Sequence, residues 1–163
     1  MKILLISDTH NDRMIIQYKI IPRHADNLQM VIHLGDYAKD LMFSQSSFPN
    51  IEMVGVGGSF EPDEKTEHIF EVGDGEFKRR ILLMHGHTAD VKTGLDRIIN
   101  YARQKEVHAC FFGHTHVPVI LEEYGIFFMN PGSLTNPSPG RKGSYGLVTV
   151  SPEGKFHGEV IDA

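Results

Sequence analysis

The stretch Cys110-Phe111-Phe112-Gly113-His114-Thr115-His116 runs from an apolar tract into a glycine and then two histidines one residue apart. In a strand, alternate side chains share a face, so this spacing lets His114 and His116 meet one object, such as a metal ion. A His-x-His pair can equally close a strand by hydrogen-bonding backbone, and the pair alone does not decide. The rest of the chain supplies more of the same chemistry. Asp8 and His10 follow the apolar run 3–7, Asp36 follows 30–34, and His85 and His87 follow 77–84. Carboxylate and imidazole suit borderline divalent ions such as Mn, Fe, Co, Ni or Zn, and a lone cysteine offers no thiolate set for a structural zinc site. Such a ligand set exceeds one tetrahedral ion. Two ions about 3.5–4 Å apart, sharing a carboxylate, would use it fully and form the arrangement that supports in-line attack on phosphate.

These residues need elements to carry them. Segments 3–7, 30–34 and 51–56 are short β-branched or aliphatic runs, each ending at glycine or a polar residue, as expected of strands buried on both faces. Helical spacing of Met14, Ile15, Tyr18 and Ile21 predicts a helix over 12–25 with Pro22 near its end, and a second helix is expected over 39–48 before Pro49. Alternating strands and helices imply βαβ units and a mainly parallel sheet, with ligand sites at the carboxyl ends of its strands. The second half changes rhythm. Strands over 68–72 and 77–84 meet at Gly73-Asp74-Gly75, a hairpin signal, and a helix over 89–104 precedes the histidine pair. Four further strands, 117–122, 126–129, 145–150 and 155–161, read as antiparallel. The expected architecture is α/β: two packed mixed sheets flanked by helices, in one domain spanning 1–163.

Composition narrows the function classes. A formal net charge of -5 gives no general basic field for nucleic acid or an anionic membrane. Cys110 lies in an apolar run, which fits a free buried thiol in a reducing cytoplasm. The opening residues MKILLISDTH contain too short an apolar run for a signal peptide or membrane span.

Ser7-Asp8-Thr9-His10, Gly35-Asp36, His85-Gly86-His87, Gly113-His114-Thr115-His116 and Asn130-Pro131-Gly132-Ser133 occur in that order over nearly the whole chain. The series resembles the calcineurin-like metallophosphoesterase superfamily, and more narrowly its small prokaryotic phosphodiesterases. The resemblance implies a two-sheet sandwich and a di-metal centre, Mn being the first expectation and Fe, Ni, Co or Zn compatible. By position, Asp8, His10, Asp36 and His116 would hold one ion, and Asp36, His85 and His114 the other. One position departs from the family pattern. Where the family carries asparagine after the third strand, this chain has Ser59, a shorter ligand expected to reach the second ion only through water. Phe60 stands where some members carry a histidine general acid, and Glu61 is either a partial substitute for the asparagine or a solvated turn residue. His87 would line the phosphate pocket or orient His85, while Asn130 and Ser133 shape the adjacent loop. His24, His33, His68, His108 and His157 are expected at the surface or in the core.

The expected activity is divalent-metal-dependent hydrolysis of small phosphodiesters, with the chain alone or as an oligomer and without a nucleic-acid or membrane partner. A phosphomonoesterase would use the same centre, but no arginine pair stands near the motifs to clamp a dianion. A non-catalytic scaffold is the remaining alternative, since the retromer subunit resembling this family serves mainly in protein assembly.

Overall fold

The computed structural model describes all 163 residues. Ten strands form two five-stranded sheets. The first has the order β10-β9-β1-β2-β3, built from β1 (Lys2–Ile6), β2 (Met30–His33), β3 (Glu52–Gly55), β9 (Ser144–Val150) and β10 (Phe156–Asp162). The second has the order β4-β5-β6-β8-β7, built from β4 (Glu67–Val72), β5 (Arg79–Met84), β6 (Ala109–Phe112), β7 (Val119–Glu123) and β8 (Ile126–Asn130).

Why the central strands read as unbroken apolar runs is visible in their packing. Ile3 and Leu5 of β1 point between the sheets, where they join Ile81, Leu83 and Phe111 of the second sheet. Leu4 and Ile6 point the other way, into a layer with Ile16, Ile20 and Ile21. On the second sheet, Leu82, Met84 and Cys110 pack outward against Ile98 and Ala102 of a helix. Both faces of each central strand are covered, so neither tolerates polar alternation. Cys110 is free and fully buried, as its apolar run suggested, and burial pushes its thiol far up.

Strand direction decides where the site lies. β1, β2 and β3 are mutually parallel, as are β5, β6 and β8, while β9, β10, β4 and β7 run antiparallel to their neighbours. The carboxyl ends of six strands, three from each sheet, therefore face one edge of the sandwich.

The helices depart from expectation. The segment expected as one helix is a single α-turn, α1 (Arg13–Ile15), followed by a π-helical turn over Ile16–Ile20 and a 3-10 turn over Ile21–Arg23. The widened turn lets Ile16, Ile20 and Ile21 all enter one core layer, and Pro22, lacking an N–H, sits in the tighter 3-10 turn that closes the segment. The second expected helix splits into a 3-10 turn over Ala38–Leu41 and α2 (Met42–Gln45). The third is shorter than its periodicity suggests: α3 (Asp96–Gln104) starts only after Asp90 and Gly94, both at positive φ. β5 begins at Arg79 because Gly75–Phe77 forms a 3-10 turn that lengthens the hairpin. No helix is long and apolar enough to cross a membrane.

Candidate metal centre

Asp8 follows β1, Asp36 follows β2, Ser59 follows β3, His85 follows β5 and His114 follows β6, so five loops from two sheets converge. The backbone there is unusual. Ten non-glycine residues adopt positive φ, and Asp8, His10, Asp36, His114 and His116 are among them. Aspartate and histidine visit this region more readily than most residues, yet each instance costs free energy that the surroundings must offset. The expectation that His114 and His116 share a strand face is thereby corrected. β6 ends at Phe112, both histidines are left-handed turn residues, and the turn brings them to different parts of the centre.

The side chains form two overlapping groups. Potential ligand atoms of Asp8, His10, Asp36 and His116 lie within 4.8 Å of one another, as do those of Asp36, His85 and His114. Asp36 belongs to both. Hydrogen bonds on the outward side of two rings fix which nitrogen faces inward. His85 Nδ1 donates to the Leu34 carbonyl at 2.6 Å and His116 Nδ1 to the Asn136 carbonyl at 2.6 Å. In the neutral rings each Nε2 is then a lone pair facing the centre, the posture of a metal ligand. His85 Nε2 lies 3.1 Å from His114 Nδ1 and 3.4 Å from Asp36 Oδ1, and His116 Nε2 lies 3.1 Å from Asp8 Oδ1. Asp8 Oδ1 and His10 Nε2 are buried with no hydrogen-bond partner. So many acceptors turned on one another, with few donors between them, are what a pair of divalent cations satisfies, and the donor set fits that chemistry.

Electrostatics agree with this reading. Burial alone would raise the Asp36 carboxyl, but the neighbouring His85 and the amides of Ser59 and Phe60 hold it well below the usual carboxylate range. Ser59 N donates to Asp36 Oδ1 at 2.7 Å. Burial, with the nearby His85, depresses His114 to about 4. For His85 burial also opposes charge, yet hydrogen bonding to Asp36 and the field of Asp8 and Asp36 raise it above its ordinary value. His116 is raised chiefly by its hydrogen bond to Asp8. Proton and metal ion are alternative answers to the same negative field.

A surrounding layer holds these loops in place. Ser7 Oγ donates to Asp8 Oδ2 at 2.5 Å, and Ser133 Oγ to the Asp8 carbonyl at 2.9 Å. Asn130 Nδ2 donates to the Gly113 carbonyl at 2.8 Å and to Thr115 Oγ1 at 3.0 Å, tying the end of β8 to the histidine loop. The role expected for Asn130 and Ser133, shaping the loop, matches these contacts. At Gly58 a Cβ would lie 2.2 Å from Asp36 Oδ1, and at Gly113 one would lie 2.0 Å from Ser7 Oγ, so both glycines let loops close on the carboxylates.

Three expectations shift. Glu61 is neither a ligand substitute nor a solvated turn residue: its Oε2 accepts from the Tyr37 and Gly58 amides, both at 3.0 Å, and staples the β2 and β3 loops together. His87 does not orient His85, whose Nδ1 is taken by Leu34; its ring lies 5.4 Å from His85 and its Nδ1 has no partner. Ser59 Oγ lies 3.2 Å from His114 Nδ1. His33, expected only as an ordinary surface or core residue, adjoins the centre. It is fully buried between Thr9 Oγ1 at 2.9 Å and the Gly35 amide at 3.2 Å, burial depresses it to about 3, and Thr9 continues to Asp40 at 2.6 Å. Its place on β2, three residues before Asp36, was the available signal.

A cavity of about 560 Å³ lies at the far edge, by the amino ends of β5, β6 and β8, lined among others by Arg79, His108, Lys155 and Phe156. Arg79 spends its guanidinium on the carbonyls of Glu76, Lys78, Glu153 and Gly154, so that cavity is bounded by a structural clamp and shares nothing with the metal-ligand chemistry.

Two sheets presenting carboxylates and imidazoles from one edge define a metal-binding α/β sandwich. Residues 1–153 match the calcineurin-like phosphoesterase superfamily domain, and the chain belongs to that family. A probable metallophosphoesterase of Bacillus subtilis, YsnB, is 29% identical over 150 residues, covering 92% of this chain and 85% of that protein. The phosphodiesterase YfcE of Escherichia coli K12 is 34% identical over 71 residues, 44% of this chain and 35% of YfcE. The crystal structure of wild-type Vps29 from Entamoeba histolytica complexed with zinc shares the fold with a TM-score of 0.72, at 23% identity over 99% of both chains.

Proposed function

We propose that this metallophosphoesterase is a phosphodiesterase that hydrolyses small phosphodiesters at a centre for two divalent ions, Mn first among them. The observation that carries the reading is the sharing of Asp36 between two ligand groups whose remaining members converge from both sheets. The likeness to YfcE, a phosphodiesterase, supports the diester substrate. When bound, the ions supply Lewis acidity toward the phosphoryl oxygens and a water acidified enough to attack phosphorus. The chain's own part is preorganisation. Asp36 is held ionised by His85 and by the Ser59 and Phe60 amides, so it is ready to bridge without a proton to lose. Leu34 and Asn136 fix the tautomers of His85 and His116, keeping each Nε2 lone pair inward. His87, whose pKa burial lowers, is neutral at pH 7 and offers one N–H and one lone pair beside the second group. It contacts the phosphate or the leaving oxygen in this reading. Phe60 stands where a histidine general acid could protonate the leaving oxygen, so leaving groups that depart without full protonation are preferred. Six converging ligand side chains favour a catalytic centre over a scaffold in this reading.

Metal analysis of purified protein, paired with hydrolysis of bis(p-nitrophenyl) phosphate and p-nitrophenyl phosphate, tests the reading. The expected result is two ions per chain and faster turnover of the diester after Mn addition. Faster turnover of the monoester would overturn the diester assignment, and a chain that binds no metal would overturn the centre itself.

A further inference from the structure

Phe60 is 64% exposed and Tyr37 36%, although both adjoin the most constrained loops of the molecule. Their rings lie 6.2 Å apart with planes tilted by 32°, and each lies 5.9 Å from the His10 ring. They form one aromatic surface that starts at a candidate ligand and extends to solvent. Nothing inside the protein covers it.

This surface is not a floppy rim. Tyr37 sits at φ 78, a conformation that is rare for a bulky side chain. Its amide is held by Glu61 Oε2 at 3.0 Å, the same oxygen that holds the Gly58 amide. On the other loop, the amides of Ser59 and Phe60 donate to Asp36 Oδ1 at 2.7 and 3.4 Å. Glu61 and Asp36 thus anchor the backbone that carries both rings to the carboxylate shared by the two ligand groups. A strained tyrosine and an exposed phenylalanine, tied to that carboxylate and facing water, are costly to keep for stability alone.

We propose that Tyr37 and Phe60 form a subsite for a planar aromatic group carried by the phosphodiester, so that the preferred substrates are aryl or nucleoside phosphodiesters over alkyl ones. This rests on the phosphodiesterase reading above and names its substrate class. The rings offer π-faces to a flat group whose phosphate is at the metal centre, a contact tolerant of which ring is bound. They carry no hydrogen-bond readout of a particular base.

Calorimetric titration of the Mn-loaded protein with phenyl phosphate, thymidine 5′-monophosphate and ethyl phosphate tests the subsite without turnover. At least one aromatic ligand should bind about tenfold more tightly than ethyl phosphate, the scale of one stacking contact. Phenyl phosphate alone gaining the advantage assigns a ring attached directly to the phosphate; thymidine monophosphate gaining it assigns a nucleoside. Phe60→Ala should remove most of that advantage. Phe60→Leu, which keeps apolar bulk without the π-face, should remove nearly as much, and Tyr124→Ala, an exposed ring elsewhere, should leave it intact. Thermal melts confirm that each variant folds. Equal affinity for all three ligands in the wild type, failure of the aromatic ligands to bind, or an advantage that survives Phe60→Ala would overturn the subsite. Absence of bis(p-nitrophenyl) phosphate hydrolysis with the aromatic preference intact would instead sink the phosphodiesterase reading, and with it the diester substrates, while the aromatic subsite would stand.

Discussion

The two ligand groups that share Asp36 are not equivalent. Asp8, His10, Asp36 and His116 make a four-residue set with two carboxylates, whereas Asp36, His85 and His114 make a three-residue set with one. Their supports differ as well. In the first, His116 is locked by the Asn136 carbonyl and Asp8 by Ser7 and Ser133. In the second, His85 is locked by Leu34, but the inward nitrogen of His114 faces a serine hydroxyl that can donate to it. The first set has two braced members and two carboxylates; the second has one carboxylate and a neutral serine hydroxyl beside its histidine. A strong site and a weaker one, joined by one carboxylate, let an enzyme hold one ion while the other responds to supply.

The largest expected effect tests the joint itself. Asp36→Asn removes the shared negative charge and should lower occupancy at both sites, from two ions to near none at limiting metal, with activity falling by at least about 100-fold. His85→Ala should empty mainly the second site and leave about one ion per chain. Metal content measured on dialysed protein separates the outcomes. Equal loss in the two variants would contradict a shared Asp36.

Only part of this asymmetry is encoded locally in the sequence. The strands were legible because both faces are buried, which leaves continuous apolar runs ending at Asp8, Asp36, His85 and Gly113. The six side chains were legible because their types and order are chemical. The helices were not, since Ile16, Ile20 and Ile21 satisfy helical spacing while the core demands a wider turn. Nor were the left-handed φ values at His114 and His116, which hydrogen bonds from distant loops impose, His116 being held by Asn136 twenty residues on. Glu61 looked like a solvated residue because its partners, the amides of Tyr37 and Gly58, lie on two loops brought together only by the fold.

Acidity should distinguish the sites next. A ligand imidazole must be neutral, so protons compete wherever its pKa in the metal-free protein is raised. His116 and His85 are raised, so competition begins at or above pH 6.5 in each set; His114, near 4, adds none until far lower. Apparent Mn affinity should therefore weaken as pH falls from about 7.5 to about 5.5, the weaker second site emptying first. The metal-free protein should respond with the opposite sign above neutrality. Groups with raised folded pKa contribute stability below their unfolded value and lose it as pH rises through the folded one, so apo Tm should drift down as pH rises above about 6.5. Below pH 6.5 the buried neutral His33, at about 3, favours the unfolded chain and lowers Tm again. A metal affinity that does not change across the acid range would remove the histidines from the ligand set.

The smallest effect is the most specific. Ser59 Oγ stands 3.2 Å from His114 Nδ1, nearly the 3.1 Å that separates the same nitrogen from His85 Nε2. At that spacing the hydroxyl either joins the histidines as a direct ligand or donates its proton to His114 and occupies the lone pair an ion needs. Asparagine in its place brings a carbonyl, a stronger neutral ligand, at an exposed turn already fixed by the Ser59 amide on Asp36. Ser59→Asn should tighten the second site by about 1–2 kcal/mol, roughly tenfold, and lower the Mn concentration for half-maximal activity accordingly. Ser59→Ala then separates the two roles of the hydroxyl. If Oγ is a ligand, alanine weakens the second site; if it competes for His114, alanine strengthens it. Superimposable Mn titrations for wild type, Ser59→Asn and Ser59→Ala would show that the hydroxyl bears on neither, and the weakness of the second site would then have to lie in its having one carboxylate where the first has two.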